Sequence, residues 1–244
     1  MHGPASAARI SRWGVVVMAS SLLIVGGAAA LAIASVASSR ERLVSFAVRG
    51  SLSGVALDVD DGDVEIAGGG RRPVLGVQRT DRFAFGHDAE VQRTVAGGEL
   101  RIRSRCPNAV PRACSVRYRV VVPDNVPVTV RTAGGTVRFR GYRGSARVTT
   151  RSGDIDVAGF CGFSLQARAE SGDIAAGAAC APQQLTLRST MGSVRVSVPP
   201  GRYQVEAESA SGSHSVRGLD AVSDAPFSIQ ALSSSGDVSV EGRP

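Results

Sequence analysis

Four aspartates hold one position in a recurring pattern: Asp63, Asp154, Asp173 and Asp237 each follow the glycine of a small-polar turn. Carboxylates repeated at one phase could share a cation, and calcium takes oxygen ligands of this kind. Aspartate at such a place also serves the turn itself, bonding local backbone and tolerating turn geometry. The nonapeptide calcium-roll signature is missing. Turn chemistry is therefore the favoured reading, with no cofactor expected and calcium as the alternative.

The cysteines offer a second chemistry. Cys161 lies eight residues after Gly153 and Cys180 eight after Gly172, the same phase of consecutive units. Neighbouring strands lie about 4.8 Å apart, inside the Cα separation a disulfide tolerates. Cys106 and Cys114 bracket a polar, proline-containing loop. An even count with such spacing supports bridges 106–114 and 161–180 in an exported chain; free thiols in a reducing compartment are the alternative. Metal binding is the weaker reading, because neither pair has C-x-x-C spacing and no histidine sits beside them in sequence.

Other candidates carry less. His214 falls two residues after Gly212, where the other units place valine, isoleucine or leucine. It reads as a satisfied core histidine or a local register shift, since no partner for a general base is identified. His87 falls in a loop and His2 in the N-terminal tail, and no G-x-S-x-G elbow, P-loop or H-E-x-x-H is present. Thr132, Thr150, Ser189, Ser209 and Ser233, three residues before their glycines, read as an inward hydroxyl ladder at a narrow corner. Arg131, Arg151, Arg168, Arg188 and Arg195 are the candidates for a basic face acting on an acidic polysaccharide, although the five do not share a single repeat phase.

These residues are positioned by one pattern written five times between Ala146 and Val240. The turn glycines Gly153, Gly172, Gly192, Gly212 and Gly236 are 19, 20, 20 and 24 residues apart. Apolar or small residues alternate before each glycine (Leu185, Leu187, Ser189) and after it (Val194, Val196). Strict period-2 alternation on both sides of a turn predicts two short half-buried strands per unit. Gly135 and Gly62 obey the same rule, and a degenerate copy fits Gly98, with Val91 and Val95 before it and Leu100 and Ile102 after. A unit this short cannot bury its own apolar face, so neighbours must stack. The predicted fold is all-β: a β-solenoid of two-strand coils, with a β-sandwich of the same strands as the alternative. Residues 44–127 form its irregular part and 128–244 its regular repeats.

Between Arg12 and Arg40 the chain carries no charge, and Gly14–Ala34 is long enough to cross a bilayer as a helix. This predicts a cytoplasmic tail (1–12), a transmembrane anchor (13–37), a tether (38–43) and an extracytoplasmic body (44–244). A cleaved signal peptide is the alternative, though its apolar region would be unusually long. Arg9 and Arg12 place the N-terminus on the cytoplasmic side. The formal charge is +7 without any lysine. No dense basic run is present, which argues against nucleic acid as a partner and leaves an envelope polymer or protein.

The runs Ser152-Gly-Asp-Ile-Asp-Val157, Ser171-Gly-Asp-Ile-Ala-Ala176 and Ser235-Gly-Asp-Val-Ser-Val240, each after an apolar strand, resemble the adhesin-type β-strand-repeat family of bacterial envelope proteins, the toastrack-type domain of unknown function. The resemblance covers about residues 52–242. It departs at Met191-Gly-Ser and Ser211-Gly-Ser-His, where serine replaces the turn aspartate. It implies adhesion, scaffolding or envelope sensing, and it supplies no catalytic residues. The expected function is that of a membrane-anchored, non-enzymatic β-repeat protein. The alternative is a β-helix enzyme or binding module for an acidic envelope polysaccharide.

Overall fold

The computed structural model describes residues 40–83, 88–107 and 114–243. The tail, the anchor, His2 and His87 lie outside the described residues. Among the described residues no helix is long and apolar enough to cross a membrane.

The irregular part supplies β1 (Arg40–Arg49), β2 (Gly54–Asp61), β3 (Val64–Gly68), β4 (Val74–Phe83), β5 (Glu90–Ala96), β6 (Glu99–Arg105) and β7 (Cys114–Val122). In the regular part β8 (Val128–Gly134), β9 (Val137–Arg140), β10 (Ala146–Ser152), β11 (Ile155–Phe160), β12 (Ser164–Ser171) and β13 (Ile174–Ala178) follow. The chain ends with β14 (Gln184–Met191), β15 (Val194–Val198), β16 (Arg202–Ser209), β17 (His214–Arg217), β18 (Asp220–Ala221), β19 (Ser228–Ser235) and β20 (Val238–Gly242).

Among the described residues the strands form two sheets of ten. The pre-turn sheet runs β18-β16-β19-β14-β12-β10-β8-β2-β6-β5, and the post-turn sheet β1-β4-β7-β3-β9-β11-β13-β15-β20-β17. Each coil gives one strand to each sheet, and the coils stack in parallel with matched register, as in Ala146↔Leu165 and Leu165↔Leu185. Among the described residues only β1–β4, β4–β7 and β5–β6 pair antiparallel. That is a solenoid rather than a hairpin-built sandwich. Inward rows from both sheets merge into one core, in which Tyr118, Tyr142, Phe139 and Phe160 are among the bulkiest fillers. The alternation read from sequence is the burial pattern found: β8 and β10 each bury every second residue up to the corner.

Three features differ from the sequence reading. The first strand begins at Arg40, inside the expected tether, because Arg40–Leu43 pair with Phe83–Thr80 of β4. Gly98 is not a coil corner. With Gly97 it closes the β5–β6 hairpin, and Leu100 and Ile102 lie opposite Val55 and Leu57 in a pre-turn strand. Period-2 alternation looks alike on either side of a turn, whereas a Gly-Gly pair between strands is a hairpin signal. That coil passes from β6 to β7 across the Cys106–Cys114 bridge.

Stacking order also departs from chain order at both ends. The β2–β3 coil sits between β6–β7 and β8–β9, and the β19–β20 coil sits between β14–β15 and β16–β17. The longer step from Gly212 to Gly236 holds β18, which pairs on the outer edge of β16 before the chain turns back. The inward row Ile229, Ala231, Val238, Val240 is more apolar than Val205, Ala207, His214, Val216, which favours the inner place for the β19–β20 coil. Ile229, Ala231, Val238 and Val240 are fully buried, while Val205 and Ala207 of the end coil are only half-buried.

Candidate functional site

The turn glycines form a column in the order Gly62, Gly135, Gly153, Gly172, Gly192, Gly236, Gly212. A Cβ on Gly172 would lie 2.3 Å from the carbonyl oxygen of Gly153, and one on Gly153 2.1 Å from that of Gly135. Both glycines also take positive φ, 139° and 137°. Close backbone approach and left-handed geometry together exclude any side chain here.

The aspartates act between coils rather than on their own turns. Asp63 Oδ1 accepts the Thr136 N–H at 3.0 Å, Asp154 Oδ1 that of Asp173 at 2.9 Å, and Asp173 Oδ1 that of Ser193 at 2.8 Å. Asp237 Oδ1 accepts both the N–H of Ser213 (2.9 Å) and its hydroxyl (2.8 Å). These bonds hold the Asp237 carboxyl below its ordinary value, the Ser213 N–H first among them. Serine at 193 keeps the ladder intact, its Oγ accepting the Asp237 N–H at 3.3 Å. Among the described residues no three histidine, cysteine, aspartate or glutamate side chains gather as a metal cluster.

Inside the same corner, Ser189, Ser233 and Ser209 donate to the glycine carbonyls of the neighbouring coils: Gly172 at 2.9 Å, Gly192 at 2.8 Å and Gly236 at 2.6 Å. Thr132 donates to Gly134 at 2.5 Å, while Thr150 Oγ1 is buried without a partner among the described residues. Both disulfides form. Cys161–Cys180 ties two adjacent coils with a Cα separation of 5.1 Å, and Cys106–Cys114 joins the ends of β6 and β7 at 5.6 Å.

His214 is neither a core residue nor shifted in register. It pairs opposite Val238 and is exposed, on β17, the terminal strand of the post-turn sheet among the described residues. A buried polar cluster escaped the sequence reading. Asp81, 1% exposed, lies between Arg79 Nε at 2.7 Å and Arg42 Nε at 3.4 Å. Nearby the Tyr118 and Ser104 hydroxyls meet at 2.5 Å, and burial raises the Tyr118 phenol. One signal was present in the chain: Ser104 stands opposite Val59, at the hydroxyl-ladder position of the coil.

The arginines divide between the faces. Arg195 lies on the post-turn sheet and reaches Asp173 at 3.4 Å. Register joins the rest on the outer face of the pre-turn sheet. Arg131 stands opposite Thr149, Thr149 opposite Arg168, and Arg168 opposite Arg188, making one row across four strands. Arg151 projects from the same face one position pair further along β10.

No curated protein matches the chain in sequence. Solved structures similar to it include a candidate cell adhesion protein from Clostridium sporogenes (11% identity, TM-score 0.48, covering 84% of this chain and 100% of that one). Others are a candidate adhesin from Bacteroides fragilis (8%, TM-score 0.41, 83% and 97%) and a candidate lipid binding protein from Parabacteroides distasonis (11%, TM-score 0.37, 82% and 97%). The Toastrack DUF4097 family profile matches residues 44–241, spanning the whole stack of coils, and the chain belongs to that family.

Proposed function

We propose that this chain is a membrane-anchored, non-enzymatic, cofactor-free β-repeat protein of the cell envelope, serving adhesion, scaffolding or sensing. Residues 13–37 anchor it, residues 1–12 face the cytoplasm, and the coils stand outside. The pair of disulfides carries this reading, because such bonds persist outside reducing compartments. The repeated carboxylates and hydroxyls support it further. They bond one coil to the next, so the groups best suited to chemistry are engaged in holding a rigid ladder. Such a ladder presents flat sheet faces to an envelope polymer or protein, and it lacks the dense basic run that would favour nucleic acid.

Non-reducing peptide mass spectrometry of the membrane fraction tests the reading. A 161–180 bridge in membrane-retained protein is expected. Four free thiols would overturn it, and the bridged body recovered without residues 13–37 would replace the anchor by a cleaved leader. A second reading, a binding module for an acidic polysaccharide, is favoured by the arginine row.

A further inference from the structure

Among the described residues, five arginines face outward from four adjacent strands without a carboxylate partner within 4 Å: Arg131 on β8, Arg147 and Arg151 on β10, Arg168 on β12 and Arg188 on β14. Strands β8, β10, β12, β14 and β19 together contain one acid, Glu170, and no ion pair among the described residues reaches it. Asp58, across from Arg131 on β2, is already engaged by Arg103 and Arg105. The opposite face pairs more of its arginines: Arg119 meets Glu65, Arg140 meets Asp156 and Arg195 meets Asp173, while Arg138 on β9 has no carboxylate within 4 Å among the described residues. The uncompensated charges thus gather mainly on the pre-turn sheet.

Two of these guanidiniums are held by neutral amides. Arg147 donates to Gln166 Oε1 at 3.0 Å and Arg188 to Gln230 Oε1 at 2.6 Å. The amides orient the side chains without pairing them directly with a carboxylate, although Gln230 Nε2 in turn donates to Glu206 Oε2 at 2.6 Å on the neighbouring strand β16. A shallow groove of about 450 Å³ runs between them, lined also by Thr149, Arg168 and Thr186.

We propose that this face binds a linear acidic polysaccharide lying along the solenoid axis. The proposal rests on the envelope reading and names its ligand. Strands repeat at about 4.8 Å, so Arg168 and Arg188 stand one strand apart and Arg131 two strands from Arg168. A row of guanidiniums spaced at one and two strand intervals fits a chain whose carboxylates repeat along its length, each suited to bidentate pairing. Threonine and glutamine between them offer donors and acceptors to sugar hydroxyls. A lipid surface fits poorly, since the large exposed apolar side chains, Phe163 and Met191 among them, lie off these outward positions. Single-stranded nucleic acid would want aromatic platforms, and these five strands contain no aromatic residue.

The full chain in non-ionic detergent is titrated with a fluorescent oligogalacturonate. Arg168→Gln with Arg188→Gln is compared with Arg140→Gln with Arg195→Gln, each checked for both disulfides and native circular dichroism. The first pair is expected to weaken binding about tenfold or more, the second by less than about twofold. Equal losses from both pairs, no binding of oligogalacturonate, or tighter binding of duplex DNA or phosphatidylglycerol vesicles would each overturn the assignment. A disulfide-bonded, membrane-retained protein that ignores oligogalacturonate sinks the ligand and leaves the envelope scaffold standing.

Discussion

Asp154 Oδ1 accepts the backbone N–H of Asp173 at 2.9 Å, and Asp173 passes the same bond on to Ser193 at 2.8 Å. Each carboxylate therefore fixes the turn of the next coil, and Asp173 belongs to both bonds. Side-chain chemistry at one unit sets backbone geometry at its neighbour, which is why the turn sequence repeats with the coil.

Replacing Asp173 by alanine removes the acceptor for Ser193 and the partner of Arg195 but leaves the N–H that Asp154 receives. A loss of about 1–2 kcal/mol is expected in urea unfolding. An unchanged midpoint would mean that water replaces the carboxylate at no cost.

Acid should loosen the turn of the end coil. Asp237 is held below its ordinary value chiefly by the Ser213 N–H, then by the Ser213 hydroxyl. A folded-state value below the unfolded one contributes stability that is full above the unfolded value, near 4, and lost as pH falls through the folded one. Protection of the Ser213 amide, corrected for intrinsic exchange, should therefore decline below about pH 4. In Asp237→Asn that decline should be absent.

Gly172→Ala separates contact from conformation. The new methyl would meet the Gly153 carbonyl at 2.3 Å, at a φ of 139°. Gly50, at a φ of 112°, is also beyond the range a side chain readily adopts but has open space where a methyl group would stand. Gly50→Ala should cost about 1–2 kcal/mol, and Gly172→Ala at least about 3 kcal/mol or the fold itself. Equal costs, read by thermal unfolding, would remove close stacking as the reason for the glycine column.

The two-strand coil, its corner and the 161–180 bridge were legible because each depends on local period and spacing: Leu185, Leu187 and Ser189 announce their faces wherever the coil sits. The order of the coils was not legible. Which unit lies at the end depends on comparing inner faces across distant units, and His214 with half-buried Val205 marked the poorer face without saying what would cover it. The arginine row was half visible. Arg131, Arg168 and Arg188 all fall four residues before their glycines, but the absence of partners depends on the neighbouring strands, which only the register supplies.

Asp81 was invisible for the opposite reason: an acid at an inward position of β4 reads as a break in the pattern. Its 1% exposure beside Arg79 and Arg42 makes it an internal ion pair at the end of the stack, where a disulfide stands in place of a glycine turn. Removing one partner of such a pair leaves the other charge uncompensated, at about 3–5 kcal/mol. Arg79 keeps 15% of its side-chain exposure and Arg42 48%, so water can reach both and the lower figure applies. Asp81→Leu alone should lower stability by about 3 kcal/mol, whereas Asp81→Leu with Arg79→Met should recover most of it by apolar packing. Urea unfolding of the two variants decides the matter. If the single substitution is as stable as the parent, the pair holds nothing in place. If the double variant is worse than the single, the arginine stabilises the end of the stack through contacts other than Asp81.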